Sequence, residues 1–104
     1  MDLEMQCMEI ITNVGSAKSM YIMAIEEAKQ GNIEEAKKLI AEGEEYFSAG
    51  HHAHFELFNA DFPKEFSQMH FLTMHAEDQL MAADSFKIIA NQFIDLYEIM
   101  KGAK

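Results

Sequence analysis

The sequence has few of the residues on which secreted, nucleic-acid-binding and membrane proteins depend. Its 104 residues include one cysteine, one proline, five glycines and no tryptophan. The single cysteine, Cys7, cannot form an internal disulfide, so the composition favours a reducing compartment. Eight basic residues stand against 18 acidic ones, which gives a net charge of −10. Nucleic acids and anionic membranes attract lysine and arginine, so neither is expected as the main partner, whereas a basic protein is compatible.

The sequence also lacks long apolar runs and a basic N-terminus. No run approaches the ~20 apolar residues that a membrane span requires. The first residues, Met-Asp-Leu-Glu-Met-Gln, are acidic where a signal peptide would be basic. We therefore expect a cytoplasmic protein of one domain, residues 1–104. Methionine and phenylalanine are plentiful, with nine and eight residues, and Cys7 is expected to lie among them as a small buried hydrophobe.

Apolar residues recur at steps of three and four along most of the chain, which predicts three long helices. The predicted helices are residues 2–30, 33–58 and 67–100. Gly31 is expected to end the first helix, and Asn32, with Glu35, to start the second in a capping box. Pro63 indicates the second connection, and Ser67 is a suitable cap for the third helix. Helices of this length with short connections predict an all-α, antiparallel up-down-up three-helix bundle.

Two features of these helices point to close packing or to further partners. Gly15 lies in the middle of helix one, where glycine costs ~1 kcal/mol relative to alanine. Either another helix approaches closely there, or the position leaves space for something beside the helix. Helix three has two apolar stripes. The predicted inner stripe comprises Leu72, Ala76, Leu80, Ala83, Ala90, Phe93, Ile94, Tyr97 and Met100. The second stripe comprises Phe71, Met74, Met81, Phe86 and Ile89. A helix that is apolar on more than one face packs against more than one partner, so we predict a homo-oligomer packed through helix three.

Histidines concentrate at one level of the predicted bundle. Reflecting residue numbers about the two connections places Ile11 to Gly15, His51 to His54, and His75 together. His75, Asp78 and Gln79 are neighbours on the surface of one helix, because residues three and four apart lie on adjacent turns. His70 is off that face and is expected to be exposed to solvent.

This cluster admits three interpretations from the residues alone. Histidine is the commonest metal ligand, although neither the Glu-x-x-His pairs of di-iron bundles nor a His-Glu-x-x-His zinc motif is present. An imidazole can also attack phosphorus and hold a phosphoryl group for rapid transfer. The third interpretation is a set of ordinary surface histidines on an acidic bundle.

The segment Met74-His75-Ala76-Glu77-Asp78-Gln79-Leu80-Met81 resembles the His-Ala-Gln-Asp-His-Leu-Met signature of the lactose/cellobiose-specific enzyme IIA family. That family belongs to the bacterial phosphoenolpyruvate-dependent sugar phosphotransferase system. The similarity extends along most of the chain, in the same order and at the same spacing. The further similar segments are Asn13-Val-Gly-Ser-Ala-Lys-Ser19, Gln30-Gly-Asn-Ile-Glu-Glu-Ala-Lys37, His51-His52 and Phe93-Ile-Asp-Leu-Tyr97.

The resemblance implies a homotrimer of three-helix bundles in which His75 carries the phosphoryl group. The histidine-containing phosphocarrier protein would supply that group, and a cysteine of the cognate enzyme IIB would receive it. The membrane enzyme IIC would be an indirect partner, which places the protein at the periphery of the transporter. The resemblance also implies that Asp78 lies at the threefold axis, where three carboxylates can share Mg²⁺. It implies no organic cofactor.

Three positions depart from the family pattern. Gln79 replaces the second signature histidine, His54 replaces a glutamine of helix two, and Lys18 replaces an arginine. The first two changes are interpreted as a compensating exchange that keeps one amide and one imidazole near His75. We therefore expect His51, His54 and Gln79 to orient His75 or to contact the phosphoryl group.

Two other functions remain open from the sequence. A non-catalytic bundle of the same family could bind metal or act in regulation. A two-component histidine phosphotransfer domain fits less well, because its reactive histidine is followed by Lys-Gly.

Overall fold

Three long helices run up, down and up, as the sequence predicts. The structure is a computed structural model that describes residues 2–65 and 67–102. Helix α1 spans Leu3–Lys29, α2 spans Ile33–Glu56 and α3 spans Gln68–Gly102; a single 3₁₀ turn, Leu57–Asn59, follows α2. The bundle is a narrow rod that measures 61 × 18 × 16 Å. No helix in these two ranges combines the length and the apolar character that crossing a membrane requires.

The turn between α1 and α2 is closed by a glycine and a lysine. Gly31 adopts the left-handed conformation, with φ +86°, and its carbonyl accepts a 2.6 Å hydrogen bond from Lys101 Nζ near the end of α3. The predicted side-chain cap at Asn32 is wrong. The Asn32 amide N–H donates instead to Glu27 Oε2 at 2.8 Å, and this bond holds the side chain toward α1.

Helix α1 forms the centre of the core, and two glycines of α2 allow close approach to it. Cys7 is fully buried, as predicted. A Cβ at Gly43 would lie 2.5 Å from the ring of Tyr21, and one at Gly50 would lie 2.7 Å from Val14 Cγ1. Gly15 has nothing within 4 Å of such an atom, so the predicted close approach of another helix at Gly15 is wrong within the chain.

Helix α3 buries one face and exposes the opposite one. The buried residues are Ala76, Leu80, Ala83, Ala90 and Ile94. Two residues predicted to be inner, Phe93 and Met100, are exposed. Phe86, predicted for the second stripe, packs instead against the cluster of Ala17, Tyr21 and Ala90. The exposed apolar face, called the α3 seam below, comprises Phe71, Met74, Met81, Ile88, Ile89, Leu96 and Ile99.

The start of α3 is held by a histidine. His70 is half-buried, not exposed to solvent as the sequence suggested. Its ring packs at 5.8 Å, between centroids, against Phe62 of the connection. Its Nδ1 accepts a 3.0 Å hydrogen bond from the backbone N–H of Ser67. The expectation failed because the position relative to His75 carries no information about the connection that folds back onto His70.

Candidate functional site

His75 lies at the start of the third turn of α3 with its imidazole exposed. It forms no hydrogen bond, ion pair or ring contact with any residue that the structure describes. Glu77, two residues further on, faces α2, since its Oε2 is 3.9 Å from His54 Nε2. Two residues correspond to about 200° around a helix axis. His75 therefore points away from α2.

Gln79 lies one turn after His75 on the same flank of α3 and is half-buried. The flank of α1 that adjoins Gln79 is also turned away from α2. The opposite flank of α1 contacts α2, where Gln6 Nε2 donates to the Ala53 carbonyl at 2.9 Å. Cys7 of α1 lies level with Thr73 of α3, since Cys7 Sγ is 3.6 Å from Thr73 Oγ1. Since α1 and α3 run in the same direction, His75 lies level with about residue 9 of α1. His75 and Gln79 thus lie on the flank of α3 beside α1, along the surface line where these two packed helices meet, which is called the groove below.

His54 and His51 do not share this groove. The His54 side chain is 18% exposed and its ring meets Phe58 edge-on at 5.6 Å. His51 is exposed, with its ring 6.3 Å from that of Phe47. Within one chain, the expectation that both histidines flank His75 is not met.

The helix register explains this difference. The pairs His54–Glu77 and Glu44–Lys87 show that His51 lies level with about residue 80, and His75 with about residue 56. The midpoint of the second connection therefore lies about three residues later than the position of Pro63 suggests.

Asp78 is exposed on the α3 seam, between Met74 and Met81. In the described part of the chain, no three histidine, cysteine, aspartate or glutamate side chains are grouped so that they could hold a metal ion. Asp78 offers one carboxylate per chain. A cation there would need the carboxylates of several copies.

Sequence reasoning missed a polar network where α1, α2 and α3 meet, about three helical turns along the bundle from His75. Tyr21 donates its hydroxyl to Glu44 Oε1 at 3.1 Å, and Lys87 Nζ lies 3.1 Å from the same oxygen. Lys87 also lies 4.9 Å from the centroid of the Phe47 ring. Burial and the Glu44 carboxylate raise the pKa of Tyr21 well above its usual value. The sequence signal that could have placed Glu44 is Lys87, a lysine on the α2-facing side of α3.

Known proteins are similar to this chain in both sequence and fold. The family model "PTS system, Lactose/Cellobiose specific IIA subunit" matches residues 5–98. The chain belongs to this IIA family of the phosphotransferase system. It is therefore a phosphotransferase component, as the resemblance implied. Among relatives, it is 36% identical over 97 residues to the lichenan-specific phosphotransferase enzyme IIA component of Bacillus subtilis, covering 93% of this chain and 88% of that protein.

Further relatives and solved structures agree. The oligo-beta-mannoside-specific EIIA component of B. subtilis is 34% identical over 90 residues, 86% of this chain and 82% of that protein. The crystal structure of the cellobiose-specific enzyme IIA from Bacillus anthracis is similar, with a TM-score of 0.88, 32% identity, and coverage of 100% of this chain and 95% of the other. The IIA(chitobiose) subunit in its HPr complex from Escherichia coli gives a TM-score of 0.84, 26% identity, and coverage of 97% and 98%.

Proposed function

We propose that this IIA component is a phosphohistidine carrier with His75 as the phosphorylated residue. One observation carries the proposal. Of the five histidines, His75 is the one whose imidazole has no partner among residues 2–65 and 67–102. The other four contact Phe47, Glu56, Glu77 and Ser67 respectively. An unpartnered imidazole that is exposed to solvent keeps a ring nitrogen available as a nucleophile.

The chemistry consists of two displacements at phosphorus. In the first, a ring nitrogen of His75 forms an N–P bond while the N–P bond to the donor histidine breaks. In the second, a cysteine thiolate of enzyme IIB forms an S–P bond while the His75 N–P bond breaks. Phosphoryl transfer depends mainly on positioning and on stabilising negative charge. We propose that the Gln79 amide, one turn from His75, donates a hydrogen bond to the phosphoryl group.

The proposed donor is the histidine-containing phosphocarrier protein, and the acceptor is a cysteine of the cognate enzyme IIB. The chitobiose relative was solved in complex with HPr, which supports this donor. A net charge of −10 favours a basic docking surface on the partner and rapid encounter. Enzyme IIC would be reached through enzyme IIB during uptake of a lactose/cellobiose-type sugar.

We propose a homotrimer assembled through the α3 seam. Met74 and Met81 are each 60% exposed and Ile99 is 69% exposed, and a continuous apolar face of this kind is typical of an interface. The family resemblance supplies the count of three. The same packing would bring three Asp78 carboxylates together, and oxygen ligands of this kind suit Mg²⁺. The ion would neutralise charge at the axis and take no part in the transfer step.

Labelling with phosphoenolpyruvate tests the phosphoacceptor. The protein is incubated with labelled phosphoenolpyruvate, enzyme I and the phosphocarrier, and acid-labile protein phosphate is measured. We expect label on the wild type, none on His75→Ala, and full label on the control His52→Ala, which removes an exposed histidine paired with Glu56 at 3.0 Å. An unlabelled wild type would overturn the proposal and favour a non-catalytic binding bundle.

A further inference from the structure

One half of a capping box, with an unusual member, closes the N-terminus of α3. The backbone N–H of Ser67 donates to His70 Nδ1 at 3.0 Å, and the Ser67 hydroxyl lies 3.0 Å from the same nitrogen. The Ser67 carbonyl, and not its hydroxyl, accepts from the His70 N–H at 3.0 Å, so only one half of a capping box is present. In a capping box, glutamate or glutamine three residues after the cap reaches back to the cap N–H. Here an imidazole takes that place.

This cap requires a neutral imidazole. Nδ1 accepts through its lone pair, and in the protonated ring both nitrogens are donors. The Ser67 hydroxyl can turn and accept a hydrogen bond from a protonated His70, but the backbone N–H cannot. That N–H would then face another N–H, at a helix end that already has partial positive charge. Protonation therefore removes the backbone contact.

The cap is connected to His75 through the helix backbone. The N–H of Phe71 bonds to the Ser67 carbonyl at 3.4 Å. In an α-helix each N–H bonds to the carbonyl four residues before it, so the His75 N–H depends on the Phe71 carbonyl. Opening of the first turn of α3 would remove the support of the backbone that carries His75.

The charges around His70 come from three segments that meet at this end of the bundle. Leu3, Leu57, Phe62 and Leu72 pack at one cluster, which brings together the start of α1, the end of α2 and the connection. The charged residues on these segments are Asp2, Glu4, Glu56, Asp61, Lys64 and Glu65. The carboxylates attract a cationic imidazole, whereas the N-terminus of α3 repels it.

We propose that His70 is a positioning residue for His75 whose effect depends on pH. Neutral His70 holds the first turn of α3 and so fixes the backbone from which His75 projects. Protonated His70 releases that turn. The link to His75 rests on the proposed function, whereas the cap itself does not.

The first experiment measures the cap without any phosphoryl transfer. Hydrogen exchange at the Ser67 amide, corrected for the intrinsic rate, is followed from about pH 8 to about pH 5, the range in which histidine changes charge. We expect wild-type protection to fall about fivefold, the typical effect of losing one cap contact. His70→Gln keeps an acceptor and should stay protected throughout, and His70→Ala should be unprotected throughout. A His70→Gln variant that loses protection in parallel with the wild type would overturn the proposal.

The second experiment measures single-turnover phosphorylation of the protein by the phosphocarrier across the same pH range. We expect slower transfer in His70→Ala, recovery in His70→Gln, and a shallower decline toward acidic pH in His70→Gln than in the control His52→Gln, because His75 remains in both variants. Equal rates in His70→Ala and the wild type at every pH would overturn the positioning role. If the Ser67 amide responds as expected but no protein is labelled, the proposed function fails and the cap is retained.

Discussion

The aromatic ring of Tyr21 lies directly over Gly43, so close that a Cβ on residue 43 would be 2.5 Å from Tyr21 Cε1. Tyr21 cannot move aside freely, because it is fully buried and its hydroxyl is bonded to Glu44. We expect Gly43→Ala to lower the free energy of unfolding by about 1–3 kcal/mol through overpacking. Urea denaturation of the wild type and the variant measures this change in the free energy of unfolding.

Gly15→Ala is the matched control in α1. Nothing lies within 4 Å of a Cβ there, so the greater helix propensity of alanine should stabilise the chain by up to ~1 kcal/mol. Equal destabilisation by both changes would contradict the packing described above. A Gly15→Ala variant that is stable but transfers phosphate slowly would support the idea that this position leaves space for a partner.

Tyr21 should make the fold sensitive to alkaline pH. Burial and Glu44 raise its pKa in the folded protein, so above about pH 10, the ordinary tyrosine pKa, the unfolded chain loses this proton while the folded chain keeps it. The unfolded state then binds fewer protons, and stability must fall as pH rises. We expect that decline to be smaller in Tyr21→Phe, measured as urea midpoints from neutral to alkaline pH. Identical slopes for the two proteins would be inconsistent with a raised Tyr21 pKa.

The α3 seam should control assembly. Met81→Glu places a charge in the proposed interface, where burying it unpaired is unfavourable. We expect sedimentation velocity to show a shift from trimer to monomer at micromolar concentration. Met23→Glu on α1, a methionine that is 48% exposed and off the seam, is the control and should remain assembled. Dissociation of both variants, or of neither, would argue against the seam as the interface.

Asp78 should make the assembly sensitive to divalent cations. Three carboxylates at one axis repel each other unless a cation or protons neutralise them. We expect chelation of Mg²⁺ to weaken the wild-type trimer at neutral pH and to leave Asp78→Asn unchanged. Sedimentation with and without chelator measures this, and an equal response of the two proteins would remove Asp78 from the axis.

The exchange between Gln79 and His54 can be tested by a double-mutant cycle. Within one chain, His54 faces Glu77, and Gln79 lies on the other flank of α3. Side chains that share no partner act independently. We therefore expect the effects of His54→Gln and Gln79→His on the phosphorylation rate to multiply in the double variant. Coupling between them would instead mean that His54 of a neighbouring copy completes the groove.

The sequence predicts most of the fold because helical periodicity reports local structure. The boundaries of α1 and α2, the turn at Gly31 and the burial of Cys7 all follow from spacing. Asn32 and His70 do not, because their bonds depend on which competing group the folded chain brings near: Glu27 in one case, Ser67 and Phe62 in the other. The predicted level of the histidines along the bundle was wrong by about three residues, because one proline in a connection does not show where the midpoint of that connection lies.

His75 and the α3 seam occupy one uninterrupted helix, so the angle between them is fixed by residue count alone. Inserting or deleting a single residue between His75 and Met81 would rotate one relative to the other by about 100°. Such a change would turn the imidazole toward a different neighbour even if every side chain were kept. We therefore expect insertions and deletions to be tolerated in the connection between α2 and α3 but not in the middle of α3. The continuous helix thus fixes the angle between the proposed nucleophile and the proposed interface.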